Sequence, residues 1–120
     1  MIIYCCSDLL FATRISSTAQ AIGIGSRPTR DITALQARLD QVDDGKLNEP
    51  VKALIVDLDA PEALNVIAHA KAHANPPHVL AFGSHVMTDL LQAARDRGAD
   101  FVMSRGAFTS NLPDILDRFR

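Results

Sequence analysis

Short apolar runs alternate along the chain with stretches whose apolar residues recur at helical spacing, and this alternation constrains the fold more than any other feature. Four runs are clear, at residues 2–6, 53–56, 78–82 and 101–103, and a weak fifth lies in the break at 23–25. The run at 53–56 is continuously apolar, which is typical of a strand covered on both faces. Together the runs predict five strands.

Helical periodicity fills each interval between the runs and continues after the last one. Strict alternation with short connectors predicts parallel strands, right-handed crossovers and helices on both faces, which form a three-layer α/β/α sandwich in one domain over residues 1–120. We expect a polar connector at residues 43–50 and a helix start at Pro61. The predicted inner faces of the five helices are Phe11, Ile15, Thr18, Ala19 and Ile22; Ile32, Leu35, Leu39 and Val42; Leu64, Ile67 and Ala68; Val86, Leu90 and Ala93; and Leu112, Ile115, Leu116 and Phe119.

The charge balance argues against nucleic acid as a partner. The 120 residues include 12 Lys and Arg against 14 Asp and Glu, a formal charge of −2 without a basic block, so nucleic acid is not an expected partner. No apolar run approaches the roughly 20 residues of a membrane span, and the start MIIYCCSD lacks the basic region of a signal peptide. We therefore expect a cytoplasmic protein that does not bind membranes.

Polar residues follow several of the predicted strands, and in parallel α/β sheets functional residues lie at these carboxyl ends. The loops in question are residues 7–8, 57–60, 83–85 and 104–106. Asp57 is the most conspicuous residue, because it ends a buried run and is followed by a second carboxylate at Asp59. An aspartate in this place can be a phosphate acceptor, a metal ligand or a helix cap.

Two segments resemble receiver domains of two-component response regulators. VDLDAP, at residues 56–61, is similar to the family's LLDxxMP, and RGADFV, at residues 97–102, is similar to its AGADDYL. The resemblance covers essentially the whole chain and implies a flavodoxin-like (CheY-like) fold with five parallel strands in the order 2-1-3-4-5. It places Asp57 at the phosphoacceptor position and implies a Mg²⁺ site that includes the main-chain carbonyl of Asp59.

The acidic pair that holds the metal in receivers departs from the pattern. The first strand aligns so that Cys6 and Ser7 occupy the two acidic positions, and a shift of one residue gives Ser7 and Asp8 instead. At least one carboxylate is missing in either register. A metal site made by Asp8, Asp57 and Asp59 is the alternative that remains, and we expect it to be weak.

Three further diagnostic positions also differ. The hydroxyl residue that ends the fourth strand of receivers aligns with Gly83, and Ser84 comes one position late. The switch aromatic aligns with Val102, and the lysine that contacts the phosphoryl group aligns with Arg105. A guanidinium is a wide planar fork rather than a compact ammonium, so this exchange changes the site.

These departures favour a degenerate receiver, or pseudo-receiver. We expect a non-catalytic signalling or protein-interaction module of two-component type that is not phosphorylated. We expect it to stand alone, because the chain ends at Arg120 with no output domain. A bidentate pair between Arg105 and Asp57 is expected to fill the phosphorylation site, with Asp59 capping the next helix. The alternative is a true receiver with Asp57 as a Mg²⁺-dependent phosphoacceptor, and in the preferred interpretation no cofactor is needed.

Other reactive residues do not form a recognisable site. Cys5 and Cys6 are expected to be buried thiols, since the loop after them lacks the glycines and the arginine spacing of a phosphate-binding cysteine loop. His69 and His73 have the i, i+4 spacing of helical metal ligands, but no acidic residue adjoins them in sequence. We therefore expect the two histidines to lie on a solvated helix face, and no enzyme activity.

The fourth predicted helix has an unusually broad apolar arc, because Met87, Leu91 and Ala94 extend the face formed by Val86 and Leu90. Part of the arc is expected either to pack under a loop or to bind a partner. By resemblance, the fourth helix, fifth strand and fifth helix form a face for a homodimer or another protein, with Met87 and Leu91 as the interface candidates.

Overall fold

The structure is a computed structural model that describes residues 1–40, 42–43, 46–47 and 49–120, with only the backbone at 42–43 and 46–47. It contains seven strands and six helices in the described part of the chain. The strands are β1 (Ile2–Cys5), β2 (Ser26–Pro28), β3 (Val42–Asp43), β4 (Lys46–Leu47), β5 (Ala53–Asp57), β6 (His78–Gly83) and β7 (Phe101–Ser104). The helices are α1 (Leu9–Ala21), α2 (Ile32–Leu39), α3 (Ala63–Ala72), α4 (Thr88–Asp96), α5 (Arg105–Ser110) and α6 (Leu112–Asp117).

The main sheet has five parallel strands in the order β2-β1-β5-β6-β7. Counting only these five strands along the chain, the order is 2-1-3-4-5, so the predicted topology is confirmed. β3 and β4 form a separate two-residue antiparallel ladder that overlaps the segment 43–50, which the sequence marks as a connector. Residues 44–45 and 48 of that connector lie outside the described residues.

The central strands are buried on both faces because neighbouring residues of a strand point to opposite sides of the sheet. Ile3 and Leu54 belong to the cluster that packs against α2, α3 and α4. Ile2 and Ile55 belong to the cluster that packs against α1, α5 and α6. The continuous apolar runs therefore correspond to a sheet between two helical layers, and the α/β/α sandwich is confirmed. None of the helices among the described residues has the length and apolar character needed to cross a membrane.

The second strand lies later in the sequence than predicted. Gly23 takes a φ of 78°, in the left-handed region that favours glycine, and turns the chain out of α1. Ile24 is buried beside the helix, and pairing with β1 begins only at Ser26, opposite Ile2. The strand prediction at 23–25 is wrong. It was based on the apolar Ile24, whereas the residues that pair with β1 come after Ile24 and are more exposed.

Two predicted helices also have different ends. The apolar spacing predicted that the second helix extends to Val42, but α2 ends at Leu39. The backbone of Val42 belongs to β3. The loop expected at residues 104–106 is instead the start of α5, because Ser104 Oγ accepts a hydrogen bond from the Ala107 amide at 3.1 Å and caps the helix. Pro113, in the first turn of α6, marks the break between α5 and α6.

Candidate functional site

The carboxyl ends of β1, β5, β6 and β7 bring four of the predicted site positions to one edge of the sheet. Asp57 is the last residue of β5 and pairs in register with Phe82, next to Gly83 at the end of β6. Gly83 in turn pairs with Ser104, which precedes Arg105. Cys6 directly follows β1. The predicted cluster of strand ends is therefore present.

The Asp57 carboxylate is buried, with 2% of the residue exposed, and it accepts three hydrogen bonds. Oδ1 accepts from Arg105 Nη2 at 3.1 Å and from the Asp59 amide at 3.0 Å. Oδ2 accepts from Cys6 Sγ at 3.4 Å. A buried carboxylate needs such donors because an isolated charge inside a protein is very costly. Each oxygen of Asp57 is thus engaged by the protein itself.

Arg105 links the two aspartates of the site through a single nitrogen. Its Nη2 lies 2.6 Å from Asp59 Oδ2 and 3.1 Å from Asp57 Oδ1. The pair with Asp57 is as predicted, but it is not bidentate, because the guanidinium is shared with the second carboxylate. The hydrogen bond that Arg105 donates to Asp59, and next the charge of Asp57, raise the pKa of Arg105 above its ordinary value, so the cation persists at every physiological pH.

A stack of phenylalanines lies beneath this ion pair. The rings of Phe82 and Phe108 have centroids 4.2 Å apart, and Phe11 stacks on Phe82 at 5.0 Å. The guanidinium carbon of Arg105 lies 6.0 Å from the Phe82 centroid, within reach of a cation–π interaction. This stack could not be predicted from the sequence, since its members come from α1, β6 and α5.

The two cysteines differ in their surroundings, although both were expected to be buried. Cys5 is buried in the core, whereas Cys6 is half-buried and bonds to Asp57 and to the Asp8 carbonyl. Burial is the main cause that raises the pKa of Cys5 to about 11 and that of Cys6 to about 12, and the nearby Asp57 charge raises both further. Each residue is therefore a thiol at neutral pH, and Cys6 acts as a donor to Asp57.

The two remaining acidic residues have different roles from those predicted. Asp59 does not cap a helix, because α3 begins at Ala63, after Pro61, and Asp59 instead accepts from Arg105. Asp8 caps α1, its Oδ1 accepting from the amides of Leu10 at 2.9 Å and Phe11 at 3.2 Å. No group of three or more His, Cys, Asp or Glu side chains among the described residues is placed to hold a metal ion.

Close packing surrounds Gly83. A β-carbon at this position would lie 3.3 Å from Leu58 Cβ and Cδ1. A hydroxyl-bearing side chain here would therefore require Leu58 to give way by a few tenths of an ångström. Ser84 is turned away, its Oγ accepting from the Val86 amide at 3.5 Å, while Val102 is half-buried against the α4 side of the core. Ser7, also a predicted site position, is exposed and makes no described side-chain bond to Asp57.

The interface candidates at the fourth helix divide into an exposed and a packed part. α4 begins at Thr88, so Val86 and Met87 precede it and stand exposed, at 69% and 50%. Leu91 is instead partly buried against the core, and its Cδ2 would lie 3.6 Å from a β-carbon at position 83. Met87 remains a surface candidate, whereas a polar residue at 91 would disturb the fold itself.

The sequence predicted that His69 and His73 lie on a solvated helix face, and this prediction is wrong. His69 Nε2, on α3, bonds to Gln36 Oε1 on α2, and His73 Nε2, directly after α3, lies 2.8 Å from Oδ1 of Asp40, directly after α2. The Asn75 amide donates to His73 Nδ1 at 3.0 Å, which leaves the ring proton on Nε2, pointing at Asp40. The acidic partner was missing from the sequence pattern because it is 33 residues away.

Comparison with known proteins gives a consistent answer about the fold. No protein-family model matches the sequence, and no curated protein matches it either. Among solved structures, the chain is similar to a receiver domain from Bermanella marisrubri, with 21% identity, a TM-score of 0.75 and coverage of 98% of this chain and 95% of that one. It is similar to the receiver domain of NtrX from Brucella abortus, with 13% identity, a TM-score of 0.77 and coverage of 98% and 96%. The phosphorylated cyanobacterial phytochrome response regulator RcpA matches with 18% identity, a TM-score of 0.70 and coverage of 98% and 89%. The chain therefore has the receiver (CheY-like) fold.

Proposed function

We propose that this chain is a pseudo-receiver, a non-catalytic protein-interaction module of two-component type that works without a phosphorylation cycle. The observation that carries the proposal is the Asp57–Arg105–Asp59 ion pair, which links β5 to the first residue of α5. Signal transmission would then depend on the presence and binding of the protein rather than on its chemical modification.

The hydrogen bonds that the Asp57 carboxylate accepts support this proposal. Phosphoryl transfer to a carboxylate requires a free oxygen that attacks in line, with cations around the incoming group. Here Oδ1 accepts two hydrogen bonds and Oδ2 accepts one from Cys6, while the guanidinium of Arg105 lies directly at the carboxylate. An incoming phosphoryl group would have to displace these donors before it could react.

The residues around Asp57 fit a magnesium ion poorly. Mg²⁺ prefers several hard oxygen ligands in near-octahedral geometry. Cys6 offers a protonated thiol, and Asp8 directs its carboxylate to the α1 amides. Arg105 places a permanent positive charge between Asp57 and Asp59, where a cation would need to bind.

A second candidate function, a true phosphoacceptor, has one observation in its favour. Asp57 and Asp59 both lie within hydrogen-bonding distance of the same nitrogen of Arg105. If Arg105 swings outward, these two carboxylates could receive a divalent cation in its place. Phosphorylation of Asp57 would then require an equilibrium between paired and released Arg105.

We further propose that the module binds a protein partner or a second copy of itself through α4, β7 and α5, and through the segment that precedes α4. Val86 and Met87 are exposed there, and Phe101 is 51% exposed at the start of β7. Val86 and Met87 are adjacent and exposed, which is typical of an interaction site, whereas Phe101 lies towards the other end of the sheet.

The experiment that tests the absence of phosphorylation is incubation with Mg²⁺ and acetyl phosphate, followed by intact mass measurement. We expect no mass gain, and no Mg²⁺-dependent change in the amide NMR signals of residues 57–60 when beryllofluoride is added. Asp57→Asn serves as the negative control. A gain of one phosphoryl group in the wild type that is absent from Asp57→Asn would overturn the pseudo-receiver proposal.

The variant Arg105→Ala separates the two candidate functions further. If Arg105 is what blocks the site, the variant binds beryllofluoride measurably better than the wild type. If neither protein responds, the missing acidic ligands and the packing at Gly83 suffice to exclude the chemistry. The comparison identifies what blocks the site, and the wild-type response decides between the two functions: no wild-type response supports the pseudo-receiver, whereas a wild-type response that Arg105→Ala strengthens supports a phosphoacceptor with a releasable Arg105.

A further inference from the structure

Two adjoining cavities open at the carboxyl ends of β1 and β2 and together form the β1–β2 cleft. The larger cavity, of about 340 Å³, lies between the loops that follow β1, β2 and β5. The smaller cavity, of about 290 Å³, lies between α1 and the end of β2. Both are lined by Cys6, Leu9, Thr29 and Arg30. These volumes are at the lower end of ordinary ligand sites, so the cleft suits a small molecule.

The strand order explains why a cleft exists at this place. β1 lies between β2 and β5, because the chain leaves β1 towards one side of the sheet and later returns to its other side. The loops after β1 and β5 therefore diverge, and open parallel sheets bind ligands in the crevice between such loops. Ser7 from the first loop and Ala60 and Pro61 from the second line the larger cavity.

A buried hydroxyl group lines the smaller cavity. Tyr4 is 8% exposed and belongs to its wall. Within the part of the chain that the structure describes, the Tyr4 hydroxyl makes no hydrogen bond. A buried polar group costs free energy when it is unpaired, so such groups are nearly always satisfied by the protein, by water or by a ligand. The Tyr4 hydroxyl is therefore a polar contact that the fold provides and does not use.

Arg30 is the one charged residue among those that line the cleft. It is exposed, and among the described residues it has neither an ion-pair nor a hydrogen-bond partner. The nearby carboxylates of Asp8 and Asp31 accept instead from the first amides of α1 and α2. A guanidinium binds a carboxylate or a phosphate through two parallel hydrogen bonds. The cleft therefore favours a negatively charged ligand.

We propose that the β1–β2 cleft binds a small organic acid. The carboxylate of the acid pairs with Arg30, and its apolar body lies against Leu9, which is 81% exposed and borders both cavities. The Tyr4 hydroxyl offers a second hydrogen bond inside the smaller cavity. Binding of the acid would thus cover an exposed apolar side chain and use both unpaired polar groups.

A carboxylate fits this cleft better than a phosphate group does. A phosphate ester carries about 1.5 to 2 negative charges at neutral pH and is commonly held by free amides at the start of a helix. The first amides of α1 and α2 are already engaged by Asp8 and Asp31. Arg30 alone matches the single charge of a carboxylate.

The inference goes beyond the proposed function, because it assigns a ligand to a region beside Asp57 rather than to Asp57 itself. Cys6 connects the two regions, since it lines both cavities and donates to the Asp57 carboxylate. An acid bound in the cleft would lie next to this donor. The module would then have an input that needs no phosphorylation.

Titration with benzoate and with hexanoate, followed by amide NMR signals, tests the proposal. We expect saturable shifts at residues 6–16 and 28–30, with a dissociation constant on the order of 1 mM for acids of so few atoms. Benzyl alcohol, a neutral analogue of benzoate, and phenyl phosphate, a more highly charged one, should each bind at least about fivefold more weakly than benzoate.

Substitutions identify the residues that recognise the acid. Arg30→Gln should weaken benzoate binding about tenfold, because the charge-assisted hydrogen bonds are lost. Tyr4→Phe should weaken it about threefold, and it should not lower the melting temperature, because it removes a hydroxyl that the fold leaves unpaired. Arg14→Gln is the matched control, since Arg14 lies on α1 and is not among the residues that line the cleft. Its affinity for benzoate should equal that of the wild type.

Several results would overturn the inference. One is that neither acid gives saturable shifts, and another is that Arg14→Gln weakens binding as much as Arg30→Gln. Benzyl alcohol that binds as tightly as benzoate would show that the cleft does not recognise a charge. Phenyl phosphate that binds more tightly than benzoate would refute the carboxylate assignment. The phosphodonor experiment reports on Asp57 and the benzoate titration on Arg30, so failure of this inference can be distinguished from failure of the proposed function.

Discussion

At the scale of single residues, the burial of Asp57 decides what its removal does. Its carboxylate is 3% exposed and accepts from Arg105, from the Asp59 amide and from Cys6. We expect Asp57→Ala to lower the free energy of unfolding by about 1–3 kcal/mol, because buried donors lose their acceptor. Urea denaturation with an unchanged slope measures the loss.

Asp59→Ala is the matched control for this substitution. Its carboxylate binds the same nitrogen at a shorter distance, 2.6 Å, but it is 56% exposed. Exposed ion pairs contribute about 0–1 kcal/mol, so the control should cost clearly less than Asp57→Ala. Equal losses for both variants would show that burial does not set the strength of this site.

The Cys6 thiol reports on the same carboxylate. Burial, together with the charge and hydrogen bond of Asp57, raises its pKa to about 12, and only the thiolate reacts with iodoacetamide. We expect alkylation of Cys6 in the folded protein to be much slower than that of a free cysteine at pH 8, with a rate that still rises with pH at pH 10. Mass spectrometry of digested protein measures the rate at each cysteine.

Asp57→Asn should accelerate this alkylation, since removal of the neighbouring negative charge lowers the pKa of Cys6. Asp96→Asn, on α4 and outside the site, is the control and should leave the rate unchanged. A Cys6 that reacts at the rate of a free thiol in the wild type would show that it does not donate to Asp57.

At the scale of elements, side-chain bonds join α2 to α3. The hydrogen bond from His73, followed by that from Gln36, holds the pKa of Asp40 below its ordinary value. Because the pKa is lower in the folded state, the stability gained is complete above the unfolded pKa of about 4 and is lost as the pH falls through the folded value. Asp40→Asn should therefore lower the melting temperature at pH 7.5 and have a smaller effect near pH 3.

The matched control is Asp89→Asn, an exposed aspartate in the first turn of α4. It lacks a described side-chain partner, so its effect on the melting temperature should be small at both pH values. An effect of Asp40→Asn that is equally large at pH 3 and pH 7.5 would contradict a role for the charged carboxylate.

The strands that could be predicted from the sequence are those in which nearly every residue is buried. β1, β5 and β6 consist almost wholly of buried residues, so their apolar runs predicted them correctly. β2 is exposed or half-exposed along its length, and its position was missed. α5 was missed because its start depends on one hydroxyl, Ser104 Oγ, rather than on a periodic face.

The candidate site could be predicted only in part, for a similar reason. Asp57 and Arg105 were paired correctly because the resemblance supplied both positions. Asp59 has the same cation as a partner, but local sequence indicated a helix cap. His73 and Asp40 are separated by 33 residues, and nothing short of the packing of α2 against α3 could have joined them.

At the scale of the whole molecule, the ion pair at Asp57 joins the centre of the sheet to its edge. Asp57 ends β5, the central strand, and Arg105 begins α5 directly after the edge strand β7. A change at Asp57 is therefore expected to act first on β7 and α5, through Arg105.

The contact between Leu58 and position 83 couples two positions that lie far apart in the sequence. A β-carbon at 83 would lie 3.3 Å from Leu58, so Leu58 must give way by a few tenths of an ångström when a larger residue replaces Gly83, and a smaller residue at 58 leaves a void while Gly83 remains. The two substitutions are therefore expected to be non-additive. Which residues the chain accepts at position 83 thus depends on the residue at 58, so the effect of Gly83→Ser has to be judged together with that of a smaller side chain at 58.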